Sequence, residues 1–164
     1  MTHQSDKAYF LAFCIEQYAH RHSLTGEAAA EKIFEAGVAE YLTENFEALH
    51  TQSSQWLLEE VDQRIKQNKP AANAHTRIPK SPNIRRIQRD TAMNTAINQQ
   101  NLYLLLPGKI SALAQYYAED HNCSIIDAIH YLYTTPLYKN LSNESSKLWH
   151  LGTTALYEEL RDQK

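Results

Sequence analysis

Apolar residues recur at helical spacing along most of the chain, and the interruptions between them divide it into elements. From Lys7 to Arg21, Phe10, Phe13, Cys14 and Tyr18 form one stripe, and Leu11 and Ile15 form a second beside it. A helix apolar on more than one side is expected to pack centrally. Met1–Ser5 is polar and reads as a frayed end. His22-Ser23-Leu24-Thr25-Gly26 breaks the pattern, and Thr25 is placed to cap a second helix through Ala29, Ala30, Ile33 and Phe34. Gly37 supplies a stop. Beyond it Val38, Tyr41, Leu42, Phe46 and Leu49 predict a third helix, and His50-Thr51-Gln52 a polar break. Trp56, Leu57, Val61 and Ile65 predict a fourth, capped by Ser53 or Ser54. The paired Glu59-Glu60 then reads as a solvated face.

Lys66 to Pro82 loses all periodicity, with Pro70, Pro79 and Pro82, and reads as a linker. Ile84, Ile87, Met93, Ala96 and Ile97 predict an amphipathic helix within 83–100, and Pro107-Gly108 punctuates the chain after it. From there the first layout returns at an ungapped offset of 99 residues: Tyr18 falls on Tyr117, His22 on His121, Ala29 on Ala128, Leu42 on Leu141 and Leu57 on Leu156. Thr25 meets Ser124, whose spacing to Asp127 resembles a capping box. The expected fold is all-α, with two small helical modules at 7–66 and 108–164 arising by tandem duplication. A basic linker and bridging helix at 67–107 would join them.

Charge sharpens this plan. Residues 1–65 hold 4 Lys+Arg against 11 Asp+Glu, residues 66–90 hold 7 against 1, and residues 91–164 hold 5 against 7. The two cysteines, Cys14 and Cys123, are isolated thiols, and the longest apolar runs fall short of the roughly 20 residues that span a bilayer. A cytoplasmic protein without membrane contact is expected.

Candidate chemistry is sparse. His20 and His22 lie two apart and point to different sides of a helix, and neither HExxH nor a His/Cys cluster occurs, so no metal is expected. His50 and His150 precede the last helix of each module and suit hydrogen bonds to the helix before. Nucleotide-binding and nucleophile-elbow motifs are absent, and four glycines leave little scope for a phosphate cradle. The Arg–spacer–His signature of HEPN-type ribonucleases is missing after Arg64, Arg77 and Arg161. These features predict a non-enzymatic chain without cofactors. Binding is expected on the bridge, through Ile84, Arg85, Arg86, Ile87 and Arg89, and on Tyr116 and Tyr131, which fall off the apolar stripes of their helices.

Phe13-Cys-Ile-Glu16, Gly37-Val38, Tyr41-Leu42, Asn45-Phe46 and Leu49-His-Thr-Gln52, followed by a Trp-Leu-Leu-Glu-Glu helix, resemble a small bacterial helical family of unknown function, numbered thirty-seven ninety-one. The last third resembles a divergent second copy, with Thr134-Thr135-Pro136 in place of Glu35-Ala36-Gly37. Members of that family are often encoded beside an ADP-ribosyltransferase-like reading frame. The resemblance therefore implies an antitoxin-like protein whose partner is a toxin enzyme of that fold. A DNA-binding regulator that uses the basic bridge is the alternative.

Overall fold

The computed structural model describes residues 3–68 and 96–163, and every element among them is helical. Helix α1 (His3–His22) is followed by α2 (Gly26–Glu35), α3 (Val38–Glu44), the single turn α4 (Phe46–Leu49) and α5 (Ser54–Gln67). A short 3-10 turn at Leu102–Leu104 leads into α6 (Leu106–His121), α7 (Ile125–Tyr133) and α8 (Pro136–Leu141). Two further 3-10 turns, Glu144–Ser146 and Leu148–His150, precede α9 (Thr153–Asp162).

The two stripes of α1 explain its place. Leu11, Ala12, Ile15 and Ala19 are buried, as are Ala8, Phe10, Cys14 and Tyr18, so the helix is enclosed on several sides. Its main neighbour is α6, which contributes Ile110, Leu113 and Ala114. The two halves of the chain thus share one core, to which α2, α5 and α7 add Ile33, Val61, Ile129 and Leu132.

Local signals set the boundaries. Thr25, Ser53 and Ser124 are extended N-caps whose hydroxyls accept from the backbone N–H three residues on, each worth about 1 kcal/mol. Ser124 also donates to Asp127 at 2.7 Å, which completes the expected box-like start. Gly37 takes the left-handed conformation, φ 68°, at the junction of α2 and α3.

The 99-residue offset recurs in the backbone. Helices α1 and α6 end at His22 and His121, α2 and α7 begin at Gly26 and Ile125, and α5 and α9 begin at Ser54 and Thr153. The left-handed residues Ser23 and Asn122 close the same turn, with Leu24 N–H bonded to Ala19 O and Cys123 N–H to Ala118 O. Rings pair at the same spacing, Tyr18 with His22 and Tyr117 with His121.

Several expectations are corrected. Residues from His3 on are helical, so the frayed end is shorter than its polarity suggests. The expected bridging helix does not reach its C-terminal end: residues 96–100 form a turn instead. There the Asn98 side chain accepts from Gln100 and Asn101 N–H while Asn101 accepts from Asn98 N–H, local bonds that compete with a helix. The rest of that segment lies outside the described residues. Pro107-Gly108 does not end an element but sits in the first turn of α6, where a proline lacks nothing the helix needs. Trp56 is 42% exposed because α5 buries Leu57, Leu58 and Val61 instead. Glu60 is not merely solvated, since it accepts from Tyr41 and Arg64.

At Gly26 the two halves approach closely. A Cβ there would lie 1.7 Å from the Tyr138 hydroxyl oxygen and 2.4 Å from its ring carbon Cζ. Gly26→Ala is therefore expected to lower unfolding stability by about 3 kcal/mol, the upper end for overpacking. The midpoint of urea denaturation checks this; a loss below about 1 kcal/mol would show that Tyr138 moves aside freely.

Candidate functional site

Two features flank the α1–α6 seam, a buried polar junction and an open groove. The junction is built on Glu16, which continues the buried side of α1 after Ile15 and is only 3% exposed. Tyr133 of α7 and Tyr138 of α8 both donate their hydroxyls to Glu16 Oε1, at 2.9 and 2.8 Å. Their rings lie 4.5 Å apart. Burial pushes the Glu16 carboxyl up to about 7, and the two phenol hydrogen bonds pull against that rise. Tyr133 and Tyr138 are raised in turn, by their own burial first and then by the carboxylate. Cys14, two residues before Glu16 on α1, is a buried thiol raised to about 12 by desolvation, the opposite of a reactive nucleophile.

The groove, about 1140 Å³ in volume, runs between the first half of α1, the α4–α5 corner and α6. Phe46 stands at its centre, with Phe10 edge-on at 5.4 Å and His50 stacked at 4.7 Å. His50 Nδ1 lies 2.8 Å from Phe46 O, the bond to the preceding helix expected for it. Tyr9 stands 47% exposed on α1, with Phe13 half-buried one turn further on. The facing wall of α6 offers only Gly108, Ser111, Ala112 and Gln115. At the 99-residue offset Tyr9 corresponds to Gly108 and Phe13 to Ala112, so aromatic residues line one wall and small residues the other. That inequality keeps the groove open.

The two tyrosines singled out from sequence lie elsewhere. Tyr116 is 47% exposed, its ring 5.7 Å from Tyr157, and Tyr131 is stacked on Tyr117 at 4.6 Å. Tyr157 donates to Asp120 at 2.7 Å. Burial first, and then that bond, raise its phenol to about 12. Both tyrosines thus sit on a second aromatic surface formed by α6, α7 and α9, separate from the groove. His130, by contrast, contacts the other half, stacked on Phe34 at 4.3 Å. Ile84, Arg85, Arg86, Ile87 and Arg89 lie outside the described residues. Sequence reasoning missed the groove because its aromatics belong to stripes that read as core. Glu16 was visible only as a charge inside an otherwise apolar face.

Among the described residues no three His, Cys, Asp or Glu side chains are grouped to hold a metal ion, and no helix is long and apolar enough to cross a membrane. Residues 9–68 match the family model described as protein of unknown function (DUF3791). The DUF3791 segment runs from the exposed Tyr9 through α5 to its C-cap, Asn68, and so contains Glu16 and the aromatic wall of the groove. Both phenols that hold Glu16 come from outside it. No curated protein and no solved structure matches the chain.

The Glu16 junction makes stability depend on pH. Its folded carboxyl titrates above the unfolded value of about 4.5, so the folded state binds the proton more tightly. The stabilisation is full below pH 4.5 and is lost as pH rises through about 7. It amounts to at most about 3 kcal/mol. Glu16→Gln, which keeps an acceptor for both phenols, is expected to flatten the stability profile between pH 5 and pH 8 and to be more stable than wild type at pH 8. Urea unfolding of the two proteins across that range measures the difference; parallel profiles would mean that Glu16 titrates like an exposed carboxyl.

Proposed function

We propose that the chain is a non-enzymatic protein-binding module that neutralises a partner enzyme, in the manner of an antitoxin, and that the aromatic groove is its principal contact. The observation that carries this reading is the open groove itself, with exposed Tyr9 and half-buried Phe13 and Phe46 facing a wall of small residues. Aromatic side chains beside a concave apolar surface are the usual anchors of protein recognition. Asp6 and Glu47 at the groove, within a strongly acidic first 65 residues, favour a partner segment that is apolar and basic. The resemblance of the opening residues supplies the candidate partner, a toxin of ADP-ribosyltransferase fold. Tyr116 and Tyr131 offer a second contact surface. The recurring boundaries, caps and left-handed turns support the further reading that the halves descend from one duplicated unit. A cytoplasmic site of action fits this reading.

The alternative, a DNA-binding regulator, rests on the 7-to-1 excess of basic residues in 66–90. It requires affinity that falls steeply with salt and is lost when Arg85, Arg86 and Arg89 are neutralised together.

Gly108 permits a direct test, because it lines the groove and a Cβ added there meets no atom within 4 Å. Gly108→Trp is expected to fill the groove, to leave the melting temperature unchanged or slightly higher, and to weaken capture of the co-expressed toxin at least tenfold, about 1.4 kcal/mol. Tyr9→Ala should weaken it similarly. Undiminished capture by both variants would remove the groove from the reading. Failure of the wild-type chain to bind or protect against the toxin would remove the reading itself.

A further inference from the structure

A second cavity, about 290 Å³, shares no lining residue with the groove and plays no part in the protein-binding reading. Glu16 and Tyr138 line it together with the apolar Ala19, Leu24, Leu102 and Leu106, and two further lining residues, Tyr103 and His20, stack at 4.0 Å. Both phenols donate to the same carboxylate oxygen, Oε1, and nothing among the described residues donates to Oε2. No side-chain oxygen or nitrogen among those residues is both sealed from solvent and without a partner. Oε2 of this 97%-buried side chain therefore opens onto the cavity, where an acceptor waits without a donor.

The charged neighbours leave that acceptor uncompensated. The ionisable groups that face Glu16 or its cavity are Cys14 and His20 of α1, Tyr103 of the 3-10 turn, Tyr133 of α7 and Tyr138 of α8. No Lys or Arg is among the described residues lining the cavity. A buried carboxylate without a cation is costly, and a ligand that brings one removes the cost. We propose that this cavity binds a primary ammonium on a short aliphatic chain, its N–H groups donating to Glu16 Oε2 and its carbons lying against Leu24, Leu102 and Leu106.

Only the ionised carboxylate serves such a ligand. The Glu16 carboxyl, raised to about 7 by burial, makes the site half-formed near neutral pH. Affinity should rise about tenfold from pH 6 to pH 8 as the ionised fraction grows.

The test is an NMR titration of the full chain with n-butylammonium, with butan-1-ol as the neutral control of equal length. The expected result is saturable shifts at Leu24, Leu102 and Tyr103 with the ammonium alone, about tenfold tighter at pH 8 than at pH 6. Glu16→Gln, which places an NH₂ donor where Oε2 stood, should abolish them. Should that variant fail to fold, Leu24→Trp narrows the cavity without touching the Glu16–phenol contacts, and it too should lose the response. Equal binding of the alcohol, an unchanged response in either folded variant, or no saturable shift at all would overturn the proposal and leave the cavity to water.

Discussion

A single carboxylate taken out of water constrains the whole arrangement. Glu16 lies on the enclosed helix α1, and two phenols from α7 and α8 offset part of the cost of burying it by donating to the same oxygen. Those bonds bring the hydroxyl end of Tyr138 against the start of α2, which requires a residue without a side chain at Gly26. The chain of dependence runs from one acid to one glycine across both halves. Each partner is a buried group whose loss leaves another unsatisfied, so the junction selects one docking of the halves. Helix α1 packs chiefly on α6 within the shared core, and the polar junction constrains how the halves meet.

The halves follow the same plan with different chemistry at the same positions. The turn after α1 uses Ser23 and the turn after α6 uses Asn122, both left-handed. The second choice is the easier one, since asparagine tolerates that conformation better. Where α3 begins on a left-handed glycine, α8 begins on an extended Thr135 cap followed by Pro136. The largest difference is the exchange of Tyr9 and Phe13 for Gly108 and Ala112, which gives the seam a groove with unlike walls.

Periodicity and caps were legible in the sequence because they are local. Thr25, Ser53 and Ser124 stand where a helix needs an acceptor, and Gly37 where the backbone needs a positive φ. The shared core was not legible, because an apolar stripe says that a face is covered and not what covers it. Trp56 shows the same limit: a tryptophan at the edge of a stripe reads as core, yet the turn it occupies leaves it outside. Residues 96–100 were read as helix because Ala96 and Ile97 continued a pattern, while the asparagines that override it act through side-chain bonds that periodicity ignores. The groove and the Glu16 junction join residues far apart in sequence, and no spacing rule connects Glu16 to Tyr133 or Phe46 to Ala112.

The DUF3791 segment ends at Asn68, but the surface it must cover does not. Residues 106–162 cover α1, bringing apolar side chains and the two phenols with them. A segment with this α1 but no second half would present a wet apolar face with an unpaired acid in its middle. Carrying the covering half on the same chain turns an association that would depend on concentration into one that does not. The contact between the two halves is therefore the same at every dilution.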